Sequence, residues 1–149
     1  MGFFNWIFKS KNWKSLGLIL SAYELEQACL DVYNSAESKT DDKNYKLLKY
    51  RDIIDLCQKA IYPAKPHLAE VWDCDDIARQ ALCDVRKYWA FNAMCDVALA
   101  CGNAIIETKS GGVHSLPFFV TNEKQIVFYN PRAETFFIDA KIKVYELRF

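Results

Sequence analysis

Trp72-Asp73-Cys74-Asp75-Asp76-Ile77-Ala78-Arg79-Gln80-Ala81-Leu82 is the stretch on which the reading of the fold turns. Asp73 is a residue type whose side chain satisfies the free N–H groups of a helix's first turn, and acids at Asp75 and Asp76 suit the positive end of the helix dipole. Ile77, Ala81, Leu82, Val85 and Trp89 follow at helical spacing. The stretch therefore predicts an amphipathic helix that carries Cys74 in its first turn.

Working outward toward the N-terminus, Pro63 closes an earlier helical pattern of Leu47, Tyr50, Ile54, Cys57 and Ile61. Before it, Ser35 to Asn44 is polar and reads as a loop. Ser21-Ala22-Tyr23-Glu24 has the form in which Ser and Glu cap each other's backbone, so a first helix is expected from there to about Asn34, burying Leu25, Cys29 and Val32. Both apolar stripes are explained by a core or by a partner surface. Toward the C-terminus the pattern changes to strands: Val97 to Glu107, Val113 to Thr121, Gln125 to Tyr129, Thr135 to Ile138 and Ile142 to Leu147. Gly111-Gly112, Asn122-Glu123-Lys124 and Asn130-Pro131 separate them. Helices followed by strands imply an α+β domain, with N-terminal helices packed on a small antiparallel sheet.

A chain of 149 residues with 52% hydrophobic residues is about one domain long and has material for a core. We expect a single domain over 1–149. It divides by texture into a basic-aromatic segment at 1–20, a helical part at 21–66 and a Cys/His-bearing part at 67–149. Nineteen basic residues balance nineteen acidic ones, so no net field recruits nucleic acid. Neither a bilayer-spanning apolar run nor a secretory leader is apparent, and a cytoplasmic location is expected. Phe3, Phe4, Trp6, Ile7, Phe8 and Trp13, mixed with Lys9, Lys11 and Lys14, suit either packing onto the domain or weak contact with a membrane surface through residues 1–14. The six cysteines form no CxxC pair, which argues against a zinc site or a disulfide framework.

Cys74 and His114 are the candidates for chemistry. Backbone N–H groups at a helix start favour a thiolate at Cys74, while Asp75 and Asp76 oppose it. His114, in Gly111-Gly112-Val113-His114, is the candidate base, and His67 is the fallback. Each has a plainer use: Cys74 as one more buried thiol, His114 as a core histidine, Asn130 before Pro131 as a turn residue, and His67 as a surface residue.

In combination, Asp73 to Asp76, then Gly112-Val113-His114, then Asn130-Pro131 resemble the papain-like cysteine peptidases. Among these they are most similar to the C-terminal domain of the Marasmius-type fungal agglutinin and to related phage proteins. The resemblance covers roughly residues 68–140, and Ser115 and Asn130 stand where that family usually has Ala and Glu. It implies a papain-like fold with Cys74 as nucleophile, His114 as base and Asn130 orienting the imidazole. The oxyanion this chemistry needs has a natural donor in the Cys74 backbone N–H, but the glutamine that papain-like enzymes place a few residues before the cysteine has no equivalent here apart from the Trp72 indole N–H. The expected activity is that of a cysteine-dependent hydrolase or acyl transferase, a thiol protease that cleaves a peptide or isopeptide bond in a peptide or protein substrate and is encoded by a phage. The alternative is a catalytically idle papain-like protein that binds a host protein or small ligand. The chemistry itself needs no cofactor. Calcium on Asp75 and Asp76 is the one metal the resemblance admits, and helix capping is the plainer use of those acids.

Overall fold

The structure, a computed structural model, describes residues 11–61, 73–93 and 95–149. Helix α1 (Ala22–Val32) begins where the Ser21–Glu24 pair caps it: Ser21 Oγ accepts from Glu24 N–H at 3.3 Å, and Glu24 Oε2 accepts from Ser21 N–H at 2.8 Å. Helix α2 is Tyr50–Ala60. Helix α3 (Cys74–Asn92) is opened by Asp73, whose Oδ1 accepts from the N–H groups of Asp75 at 3.1 Å and Asp76 at 3.3 Å.

Nine strands accompany these helices among the described residues: β1 Leu18–Ser21, β2 Glu37–Lys39, β3 Asn44–Leu47, β4 Ala98–Leu99, β5 Cys101–Glu107, β6 Val113–Val120, β7 Ile126–Asn130, β8 Thr135–Phe137 and β9 Val144–Arg148. They form a three-stranded sheet, β1-β3-β4, and a six-stranded sheet, β2-β9-β5-β6-β7-β8. The α+β class holds, but the expectation of a small antiparallel sheet does not. The fold is sheet-rich, and β2 pairs with β9, and β3 with β4, in parallel. The loop expected at Ser35 to Asn44 contains β2, and the helix expected from Leu47 starts later because Leu47 lies in β3.

The large sheet is buried on both faces, which explains its long apolar runs. Phe118 and Phe128 join Leu25, Cys29, Tyr33, Tyr45 and Leu47 in one core cluster. Phe119 and Tyr129, one residue on, join Ile53, Leu56, Val85 and Trp89 of α2 and α3 in the other. Burial pushes the thiol of Cys29 and the phenol of Tyr33 up to about 12, with nearby acids adding to the effect. Both groups ionise more readily in the unfolded chain, so the stability tied to keeping them neutral is present below their ordinary range and lost as pH rises toward 12. An alkaline titration followed by circular dichroism is expected to show unfolding between about pH 9 and 12, at a higher pH in a Tyr33→Phe protein.

Part of the basic-aromatic segment falls among the described residues. Trp13 is 3% exposed, set edge-on to Tyr88 and Trp89, and Lys11 pairs with Asp52 and Asp55. Its packing role is therefore visible at Trp13, while residues 1–10 lie outside the described residues. Among the described residues no helix is long and apolar enough to cross a membrane.

Candidate functional site

Strand β6 is eight residues long, but β7 pairs only with its last three, Phe118 to Val120. Continuing that register would set Asn130 opposite Leu116 and Pro131 opposite Ser115. Two prolines prevent it: Pro117 brings no N–H to a ladder, and Pro131 starts the turn into β8. On the side facing β7 the unpaired half of β6 thus leaves a shallow crevice of about 10 Å³, lined by Cys74, Ile77, His114, Ser115, Leu116, Asn130, Pro131 and Arg132.

Cys74, His114 and Asn130 therefore meet in one cleft although they come from a helix, a strand and a turn. The half-buried Cys74 Sγ lies 3.9 Å from Asp75 Oδ1. His114 is half-buried on β6 opposite Ile106 of β5. The side-chain oxygen of Asn130 accepts from the N–H groups of Arg132 at 3.1 Å and Ala133 at 3.3 Å. This is the turn-residue use of Asn130. Trp72 and His67 lie outside the described residues.

A second cleft of about 120 Å³ lies on the other side of the α3 first turn, lined by Asp75, Arg79, Asn103, Ile105, Glu146 and Arg148. Its floor is β5 and β9, whereas the first cleft rests on β6. Between the two, Ser115 Oγ donates to Asn103 Oδ1 at 2.8 Å. Charges of both signs line it: Arg148 pairs with Glu146 at 2.7 Å, and Arg79 with Asp76 at 4.0 Å. Glu146 Oε1 makes that ion pair but no well-directed hydrogen bond among the described residues. Sequence reasoning missed Arg79, Asn103, Glu146 and Arg148. The available signal was the alternation Glu146-Leu147-Arg148, which sends two charges to one face of a strand whose middle residue is buried.

Among the described residues no group of three His, Cys, Asp or Glu side chains is arranged to hold a metal ion. Asp76 Oδ2 accepts from Asp73 N–H at 3.4 Å, completing the cap, so this acid serves the helix start. A carboxylate committed in this way, with Asp75 beside it, does not make the oxygen cage that calcium takes.

No family model matches this chain, and no curated protein does. Solved structures do share its fold. One is titled "PSL1a-E64 complex", with a TM-score of 0.75 and 24% identity over 89% of this chain and 51% of that one. Another is Polyporus squamosus lectin bound to the human-type influenza-binding epitope Neu5Aca2-6Galb1-4GlcNAc, with a TM-score of 0.73 and 24% identity over 89% of this chain and 50% of that one. The chain thus spans about half the length of either. This finding corrects the expected function. The hydrolase or acyl transferase, the thiol-protease and phage readings and the peptide or protein partner all give way, because a protein that shares the fold is a lectin solved with a sialylated glycan. The fold likeness is to a fungal lectin, in line with an agglutinin-like fold.

Proposed function

We propose that this chain is a carbohydrate-binding domain whose ligand lies across the first turn of α3, between the two clefts. The observation that carries the reading is the likeness to a lectin solved with a glycan in place. The chemistry of the face supports it. Sugar hydroxyls both donate and accept, and a binding face needs donors and acceptors side by side. Arg79 and Arg148 supply donors, Asp75 and Glu146 acceptors, and Asn103 carries both kinds of group. Cys74, His114 and Asn130 line the ligand's other side in this reading, so the Cys74 thiol becomes a reporter of occupancy.

Titration of this chain by itself with Neu5Aca2-6Galb1-4GlcNAc is expected to give saturable binding in calorimetry. Arg148→Ala removes a charge-assisted hydrogen bond of about 1.5–3 kcal/mol and should weaken that binding at least about tenfold. Bound glycan should also slow alkylation of Cys74 while leaving the exposed Cys83 unaffected. A folded chain that shows no binding at millimolar glycan would overturn the proposal and leave glycan recognition to the other half of the lectins.

A further inference from the structure

A third cavity, away from the α3 start, has the walls and the charges of a small-molecule site. It measures about 190 Å³ and is lined by Tyr45, Ala98, Leu99, Cys101, Trp89 and Phe149, with Asp42 and Arg86 completing it. That is below the roughly 300–1,000 Å³ of drug-sized ligand pockets and suits a smaller molecule, and a mainly apolar lining with a few convergent polar groups is the usual composition of such sites.

Its walls are fixed in advance. The Tyr45 hydroxyl accepts from the N–H groups of Asp41 at 3.0 Å and Asp42 at 2.9 Å, which ties the Asp42 loop to the ring. Trp89 Nε1 donates to the Val97 carbonyl at 2.9 Å. Phe149 packs 5.4 Å from Tyr45 and 4.8 Å from Phe118, centroid to centroid. Arg86 is steadied against Cys101, donating to its carbonyl at 3.4 Å and to its thiol. Walls already ordered lose little entropy when a ligand arrives.

The charges supply the specificity. Asp42 and Arg86 are both exposed and line the same cavity, yet among the described residues neither pairs within 4.0 Å with the other or with any other charged group. One acid and one guanidinium, held apart over an aromatic floor, match a ligand with the opposite pair of charges and an apolar body. We infer that this cavity binds a small α-amino acid zwitterion with an apolar side chain. Arg86 takes the carboxylate, Asp42 takes the ammonium, and the side chain packs among Tyr45, Trp89 and Phe149. A guanidinium matches a carboxylate in two parallel bonds, which fixes the ligand's orientation. The glycan-binding proposal does not depend on this site, and the two are read by separate titrations.

The test follows the Trp89 indole N–H resonance during additions of L-phenylalanine, L-phenylalaninamide, which lacks the carboxylate, and 3-phenylpropionate, which lacks the ammonium. Phenylalanine should give a saturable shift at millimolar concentration, with each truncated probe at least about tenfold weaker. Arg86→Gln should abolish the preference for phenylalanine over its amide, and Asp42→Asn the preference over phenylpropionate. Both residues are exposed, so both variants should fold, as circular dichroism would verify. Equal responses to the three probes, no saturable shift with phenylalanine, or unchanged preferences in the folded variants would each overturn the inference.

Discussion

A Gly102→Ala protein is expected to lose about 3 kcal/mol or more of stability, beyond the ordinary cost of overpacking a core. A Cβ at this position of β5 would overlap the Arg148 carbonyl oxygen, lie 2.6 Å from its carbon and come within 2.8 Å of Phe149 Cα. All three atoms are backbone, so no side-chain rotation relieves the clash. The strands themselves must part. For a chain of this length each kcal/mol lowers the melting temperature by about 2–4 °C, so the melt should shift down by roughly 10 °C. Gly111→Ala is the control. A Cβ there meets nothing within 4 Å, and only the positive φ of 84° opposes it. If both variants melt alike, the close approach of β5 and β9 is not what requires Gly102.

The second large effect is expected at Phe118. It is 0% exposed, and its ring meets Phe149 at 4.8 Å and 80°, in the edge-to-face arrangement that aromatic pairs favour. Phe118→Ala leaves a void with rigid strands on either side, and a loss of about 3–5 kcal/mol is expected in denaturant unfolding. Phe91→Ala, whose ring is 74% exposed on α3, should stay within about 0.5 kcal/mol of the parent. Phe118→Ala also removes a support of the Phe149 ring, so the amino-acid cavity should loosen in the same variant. A small loss at Phe118 would mean that this core collapses easily around the void.

What could be read in advance followed local chemistry. Two helix starts were legible because Ser21 with Glu24, and Asp73 with Asp76, carry their caps in sequence. Strands β5, β6 and β7 were legible as apolar runs bounded by turn residues. Strand β2 was not, since Glu37-Ser38-Lys39 holds no apolar residue and becomes a strand only through backbone pairing with β9. Leu47 fitted a helical stripe by chance of spacing and is claimed by β3, where tertiary pairing overrides periodicity. In the candidate site, Cys74, His114 and Asn130 carried visible signals and do share a cleft. Arg79, Asn103, Glu146 and Arg148 converge only once β9 is set beside β5, which local pattern does not encode. The expectation of a peptidase failed on a different link, because a thiol, an imidazole and an amide in order describe an arrangement without specifying the ligand.

The position of β9 has a consequence for how the molecule assembles. Strands β2 and β5 are far apart along the chain, and among the described residues their bridge in the large sheet is β9, which lies further downstream than either. Until that segment is in place, β5 presents a bare flank and β2 has no sheet to join. Ordering therefore waits on distant contacts, which slows folding and leaves a sticky edge exposed in the interval. A peptide copying Val144–Arg148, supplied during refolding, would compete for that gap.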